Sequence, residues 1–404
     1  MRPLMKVSLA NFRSFKDSTV TLGKLNVLVG PNEAGKSNFL DAIEFLGDSA
    51  RDNLSRALEK RGGIERVRFR GEAEGPVKIG VTANVTAHAS ENAPDEYVLT
   101  FDALDSSAGG GLMRTESLVF KRTKGRGRRI TVEGTRGQFI DGAGDVQGPS
   151  FQPPMDFALR EDSLALSTLQ NLPDDEGGAE VIKLAEAFST FRVFNIDVRA
   201  AVQSSSISAG ETGHVSLKAD ASNLAAVVMH ILADEDLAGD FIADAREMIP
   251  GLDDIRVAER GGAGLSAVIE LEERGLATPT QLADASFGTV RILALLALLY
   301  DQDPPLITCI EEIDHGLHPY VFDRLVELLR LASQRTQLFV VTHSPALVNR
   351  LTPEELIVVE RDPEGWTRMP AIETGALVDM IEATDGELGL GELWFSGSLG
   401  GVPR

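Results

Sequence analysis

Between residues 5 and 22 apolar and polar positions alternate, first in "MKVSLANF" and then in "STVTL". A period of two predicts two strands, with a turn near Ser14–Asp17. The next segment, "KLNVLVG" at 24–30, is nearly all apolar and predicts a buried strand. It runs into "GPNEAGKSNFLDAIEFLG", where the period lengthens: Phe39, Leu40, Ile43 and Leu46 fall at helical spacing. Residues 51–70 read as a short basic helix, a Gly-Gly turn and a strand. Four further runs, "VKIGVTANV", "EYVLTFDAL", "ESLVFKR" and "RRITVEG", lie between 76 and 140, separated by glycine and charge, and predict an antiparallel sheet.

The segment "GAGDVQGPSFQPP" at 142–154 breaks that pattern as a linker. From about 156 to 250 the periodicity is mainly helical, interrupted at 202–216 by a polar stretch, "VQSSSISAGETGHVS", that reads as a mobile loop. A hairpin is expected over 255–275. A helix (289–301), a strand (305–310), a helix (320–334) and strands at 337–341 and 356–361 follow. Strands alternating with helices imply a parallel sheet with helical crossovers. The Gly-rich end, "GELGLGELWFSGSLGGVPR", is expected to be loosely ordered or docked on the body. The organisation expected is therefore 1–50 and 276–365 as two halves of one unit, a β-rich part over 51–154, a mainly helical insertion over 155–275, and a tail over 366–404.

Composition narrows the class. The single cysteine, Cys309, excludes an intrachain disulfide and a cysteine-based zinc site, and fits a reducing cytoplasm. The longest apolar run, "ILALLALLY" at 292–300, is nine residues, against the roughly 20 that a membrane helix needs. No membrane span is expected. The net charge of −22 is uneven. Residues 1–136 hold 22 Lys+Arg and 17 Asp+Glu, a balance of +5, and residues 137–404 hold 17 and 44, a balance of −27. A nucleic-acid surface is therefore compatible only with the first third.

The chemistry starts at Gly30–Ser37, which fits G-x-x-x-x-G-K-[ST] between a strand and a helix. That context defines a P-loop. Its backbone, from Gly30 through Pro31, Asn32, Glu33, Ala34 and Gly35, directs N–H groups at phosphates, with Asn38 in the first helical turn. Lys36 reaches the β- and γ-phosphates, and the Ser37 hydroxyl ligates Mg²⁺. A P-loop needs a carboxylate at the end of a neighbouring strand, and "PLITCIEE" supplies one. Alone, Glu311 and Glu312 would read as a solvated strand end. Opposite a P-loop, Glu311 becomes the Mg²⁺ ligand and Glu312 the residue that polarises the attacking water. "SFGT" (Ser286, Phe287, Gly288, Thr289) opens an apolar helix and forms an anion site. "THSP" ends a strand on His343, placed to sense a γ-phosphate.

Taken in order, the P-loop, the S-x-G-T segment, Glu-Glu with "GLHP", and "THSP" resemble the ABC-type ATPase head of the SMC/RecF/OLD group of AAA ATPases. The resemblance covers about residues 1–50 and 280–365. It implies an α/β P-loop NTPase whose parallel core sheet is joined by an antiparallel N-terminal sheet, with an inserted, mainly helical subdomain. It further implies a head-to-head homodimer with ATP and Mg²⁺ at the interface. Lys36, Ser37, Glu311, Glu312 and His343 would act in cis, while Ser286 and Gly288 would reach the γ-phosphate held by the other subunit. His318 would lie in the loop that crosses the dimer beside the catalytic Glu.

Several positions depart from the pattern. Glu311 stands where ABC transporters have Asp, Phe287 where a small or acidic residue is usual, and Ile313 where this branch tends to have Pro. For the glutamine that completes the Mg²⁺ site, Gln152 and Gln170 are the candidates. Lys36 and Glu311 are 275 residues apart, and the lack of heptads excludes a coiled coil between them. About 60 residues follow His343, too few for a fused Toprim nuclease, so a separately encoded nuclease or effector is expected. The segment "KRTKGRGRRITVEGTRG" (121–137) carries seven Lys/Arg and one Glu, and reads equally as a DNA-backbone contact or as a solvated hairpin. The expected function is an ATP-driven dimeric switch in DNA repair or phage defence. The alternatives are a transporter's nucleotide-binding subunit or a slow ATP-binding scaffold.

Overall fold

A computed structural model of the chain describes every residue except 1–2, 72–74, 104–110, 124–125, 142–154, 174–176, 208–214, 262–264, 385–386 and 401–404. The expected linker at 142–154 and the centre of the polar stretch at 202–216 lie outside the described residues.

The period-two segments at the start form a hairpin, β1 (Leu4–Phe12) and β2 (Phe15–Thr21), with Phe12 facing Phe15 across the turn. The apolar strand β3 (Leu25–Val29) leaves this sheet for another and is buried along its whole length. Six more strands extend the first sheet: β4 (Val77–Ala83), β5 (Asp95–Ala103), β6 (Leu112–Thr123), β7 (Arg126–Glu133), β8 (Arg136–Asp141) and β9 (Met155–Ala158). Its order is β2-β1-β4-β5-β6-β7-β8-β9, antiparallel throughout.

The second sheet is parallel. Its strands are β3, β10 (Arg192–Phe194), β15 (Ile307–Ile310), β16 (Gln337–Val341) and β17 (Leu356–Val358), in the order β10-β15-β16-β3-β17. Between β10 and β15 the chain forms a small third sheet from β11 (Ser205–Ile207), β12 (Leu252–Arg260), β13 (Leu265–Glu273) and β14 (Thr280–Gln281). A last pair, β18 (Glu360–Arg361) and β19 (Thr367–Arg368), follows β17.

Both faces of the parallel sheet are covered, which is why its strands are continuously apolar. Alternate residues point to different cores. Val27, Val29, Ile310, Leu338 and Val340 face one cluster, and Leu28, Ile307, Cys309, Phe339 and Val341 face the other. The second cluster is completed by the antiparallel sheet and by α1 (Lys36–Arg51), which inserts Phe39, Leu40, Ile43 and Leu46. The first cluster is completed by the helix Phe287–Leu299, which is buried at every position from Val290 to Leu299. A helix apolar on all sides belongs inside a core, so the nine-residue apolar run is interior.

Two segments differ from expectation, and a third settles between two readings. Ile64–Val67, expected as a strand, is a helical turn, because Gly62 and Gly63 at positive φ start it and only Arg68 makes a β-bridge, to Phe12. The helix expected to run on through "STFRVF" stops at Ser189, and Arg192–Phe194 cross to the parallel sheet as β10. A three-residue strand directly after a helix carries no period of its own. The Gly-rich end is docked: Leu390, Leu393 and Trp394 of the helix Leu390–Phe395 enter the first core, and Gly391 lies so close to the Pro345 carbonyl that a Cβ there would sit 2.0 Å from it. Among the described residues no helix is long and apolar enough to cross a membrane.

Gln337 joins the two large sheets. Fully buried at the start of β16, it donates to the carbonyls of Leu4 (2.8 Å) and Gly23 (2.7 Å) and accepts from the Leu4 amide (2.9 Å). Gln337→Ala removes the side-chain partner of the buried Leu4 amide and carbonyl, while the Gly23 carbonyl keeps Asn26, so unfolding in urea is expected to show a loss of about 1–3 kcal/mol.

Candidate functional site

Every strand of a parallel sheet ends at the same edge. After β3 comes the loop Gly30–Gly35, after β15 come Glu311 and Glu312, and after β16 come Thr342 and His343. Sequence segments almost 300 residues apart therefore line one pocket of about 450 Å³. Asn32, Glu33, Ala34, Gly35, Lys36, Ser37 and Asn38 form one wall. Glu311, Glu312 and His343 form the opposite one, with Arg361 at its margin.

The loop is tightly enclosed. Gly30 has φ +153, and a Cβ there would lie 2.1 Å from the Val359 carbonyl oxygen. Gly35 has φ +112 and would collide with the Thr367 hydroxyl at 2.2 Å. Lys36 curls back so that Nζ donates to the carbonyls of Gly30 (2.8 Å) and Pro31 (2.9 Å). Burial lowers its ammonium from the usual 10.5 to about 8. The Ser37 hydroxyl donates to Glu311 Oε1 at 3.4 Å, two hard oxygens within reach of one cation. Among the described residues no group of three or more Asp, Glu, His or Cys could hold a metal by itself. A cation here would need phosphate and water oxygens to fill its shell, which is the way Mg²⁺ is ordinarily held.

Glu312 has φ +49, a left-handed backbone that costs a non-glycine residue about 1–3 kcal/mol. Its carboxylate meets His315 Nδ1 at 3.1 Å. The buried Arg291 donates to its carbonyl and to that of Glu311. Ile313 is fully buried in the first core, and its amide donates to the Val341 carbonyl at 3.2 Å. A proline there would lack that N–H, so this departure from the family pattern adds a tie between the segment after β15 and β16.

Asp314 accepts from the Thr342 hydroxyl (2.5 Å) and from the His343 amide (3.2 Å), locking the two strand ends together. The His343 imidazole is held below its usual 6.5, first by burial and then by the Lys36 charge, with Asp314 and Glu312 pulling the other way.

Other expected positions lie elsewhere. Ser286 caps its helix, accepting from the Thr289 amide at 3.1 Å. Gly288 faces the Gly316 carbonyl, which would lie 3.0 Å from a Cβ. Phe287, half exposed, packs on the His315 ring at 5.3 Å. Ser286, Gly288 and Thr289 do not line the P-loop pocket of their own chain. His318 caps a short turn, accepting from the Tyr320 amide at 3.4 Å. Gln170 donates to the Leu166 carbonyl and does not line the pocket, and Gln152 lies outside the described residues. In the basic segment the turn at 124–125 is likewise outside. Arg128 is turned inward over the Phe139 ring at 5.2 Å, while Arg129 and Arg136 are exposed.

Sequence reasoning missed four contributors. Thr367 donates to the Ala34 carbonyl at 2.7 Å and hydrogen-bonds Ser14 Oγ at 2.7 Å. It comes from 333 residues downstream with no motif to mark it. Arg291 is hidden in an apolar run. Arg361 ends the short strand β18, three residues beyond the last core strand. Asp314 sits inside "EEIDHGLHP", where its acidity was a visible signal.

Comparison with known proteins bears on the fold and the class of activity. A family model described as "AAA domain, putative AbiEii toxin, Type IV TA system" matches residues 161–349, and one described as "AAA ATPase domain" matches residues 3–98. Neither match alone takes in half of the chain, but both describe AAA domains, and the activity they indicate is ATP hydrolysis. Over 141 residues it is 31% identical to a chromosome partition protein Smc of Delftia acidovorans, a match that takes in 34% of this chain and only 10% of that protein. The Smc head domain with an extended coiled coil from Pyrococcus furiosus, crystallised with the C-terminal domain of ScpA, superposes with a TM-score of 0.50 at 14% identity, covering 95% of this chain and 99% of that one. The SMC head domain of Thermotoga maritima gives 0.41 at 17% identity, over 92% of this chain and 99% of that one. The fold is that of an SMC-type head.

The Lys36 ionisation predicts a pH signature. Phosphates bind the ammonium, so ATP affinity measured with a fluorescent analogue is expected to fall as pH rises through about 8, by up to about tenfold per pH unit. Lys36→Met should bind more weakly and with a flat profile. The same group acts oppositely on folding. Between about 8 and 10.5 the unfolded chain holds more protons on this lysine than the folded one, so its contribution to stability rises with pH.

Proposed function

We propose that the protein is a dimerising ATP switch that hydrolyses ATP to ADP and phosphate at a site shared between two copies. In this reading the loop amides from Gly30 to Gly35 and Lys36 bind the phosphates. Ser37 and Glu311 would hold Mg²⁺, which would supply charge neutralisation for phosphoryl transfer. Glu312 orients the attacking water and takes its proton. His343 contacts the γ-phosphate and senses its loss.

The observation that carries the shared-site reading is the position of Ser286–Thr289. This capped helix start is an anion site, yet it is absent from the pocket that its own P-loop lines. A second copy facing the first would supply it from outside. Phe287 and Gly316 put the same segment in contact with the loop that follows the Glu pair, so closure on a partner's nucleotide would be felt at Glu312.

We further infer a role in DNA maintenance or phage defence, acting through a separately encoded effector. The likeness to Smc favours the first and the family model named for the AbiEii toxin favours the second. DNA contact through 121–137 rests on its exposed arginines, Arg129 and Arg136, since Arg128 is engaged in the core. No observation favours the transporter reading.

Steady-state ATP hydrolysis and light scattering, each with and without duplex DNA at low salt, test this. Wild type is expected to turn over ATP and to dimerise with it. Glu312→Gln is expected to lose about 100-fold or more in rate while still dimerising with ATP. A rate that Glu312→Gln leaves unchanged would overturn the assignment of Glu312, and a monomer at saturating ATP would overturn the shared site. A DNA-insensitive rate would move the search from DNA to a protein partner.

A further inference from the structure

Among the described residues Arg291 is one of the two largest fully buried side chains, 2% exposed in a stretch that is otherwise Val, Ile, Leu and Ala. Among the described residues it forms no ion pair, and its Nε has no hydrogen-bond partner. What it does have is carbonyls. Nη2 donates to Glu311 O at 3.3 Å and to Glu312 O, and Nη1 donates to Ile196 O at 3.2 Å. A buried cation whose hydrogen bonds go only to carbonyls, with the Glu312 and Asp314 charges acting on it without an ion pair, is costly to desolvate. Core packing therefore does not account for it.

The carbonyls it reaches are those of two successive residues, and the second is Glu312 at φ +49. A planar guanidinium offers fixed, divergent donors that a flexible ammonium cannot match. Clamping the two carbonyls fixes the peptide between Glu311 and Glu312 from below, while the Glu312 carboxylate remains free to line the pocket above. The same side chain anchors the end of β10 through Ile196, so the edge strand, the helix carrying Ser286 and the Glu pair meet at one point.

We propose that Arg291 is a positioning residue for hydrolysis: it holds the strained backbone of Glu312 so that the carboxylate faces the phosphate site. It touches neither nucleotide nor water. Because it lies five residues after Ser286 on one helix, it also carries any shift of that helix directly to Glu312. This rests on the reading of Glu312 as the residue that activates water.

The test uses the full chain and three variants, Arg291→Met, Arg291→Lys and Glu312→Gln, with kcat, KM, fluorescent-nucleotide affinity and thermal midpoint measured for each. Arg291→Met is expected to lower kcat about tenfold to 100-fold, with KM and nucleotide affinity within about threefold of wild type, while the thermal midpoint falls modestly because the Ile196 and Glu311 carbonyls lose a donor. Arg291→Lys, which keeps the charge but not the fork, is expected to fall between the two. If Arg291→Met is poorly folded, the Arg291→Lys split between kcat and KM carries the test alone. The proposal is overturned if Arg291→Lys retains wild-type kcat together with a folded Arg291→Met that does the same. It is equally overturned if kcat, nucleotide affinity and thermal midpoint fall together. A wild-type rate in Glu312→Gln identifies a separate failure, that of the underlying assignment, whatever the Arg291 variants do.

Discussion

The site depends on the shared direction of the strands in the parallel sheet. With β15, β16 and β3 side by side and parallel, the chain leaves all three at one edge, and the residues that follow each strand must meet. Reversing any one of them would carry its end group to the opposite side of the sheet, several strand residues away at about 3.3 Å each. The register makes this tighter still. Ile310 pairs with Val340, and Val341 with Leu28, so the three strands end level to within about a residue. Two further ties hold the ends together: the Ile313 amide on the Val341 carbonyl and the Asp314 carboxylate across Thr342 and His343.

That constraint explains which features were legible in the sequence. The P-loop, the Glu pair and "THSP" each sit at the end of a short apolar run, and a buried parallel strand produces such a run because both faces are covered. The apolar runs thus marked both the core strands and, by their ends, the site. The antiparallel sheet was legible for a different reason: one face is wet, so β1, β2 and β4 to β7 alternate. The parts that escaped lack either signature. Arg192–Phe194 is too short to show a period and adjoins a helix, so it read as helical. Ile64–Val67 alternates too weakly to outweigh two glycines at positive φ. Trp394 and its neighbours sit among glycines, a composition that usually marks a loose end, yet Gly391 is what lets that helix approach the Pro345 carbonyl.

Side-chain supports were the least legible part of the site. Thr367 steadies the P-loop through the Ala34 carbonyl, but a threonine in a short hairpin at the far end of the chain carries no pattern that points to residue 34. The basic segment adds a converse lesson. Seven Lys/Arg in 17 residues left a DNA-backbone contact and a solvated hairpin equally open, and residues on a strand alternate between faces. Arg128 falls on the inner one, where Phe139 takes the guanidinium. Counting charges along a strand overstates a surface unless the count is taken on one face.

Lys36 and Arg291 are two buried cations with opposite relations to their surroundings. Lys36 lies at the wall of an open pocket, and burial brings its ionisation down to about 8. Its carbonyl partners, Gly30 and Pro31, belong to the loop around it. Under the proposed function it would exchange them for phosphate oxygens, an anionic partner that brings a stronger hydrogen bond. Arg291 has no such opening. Its carbonyl partners lie below the Glu pair, in a core with no room for a ligand, and a guanidinium stays charged where a lysine would yield its proton. One cation is thus held in reserve for a substrate and the other is permanently committed to the backbone. The difference follows from which side of Glu311 and Glu312 each approaches.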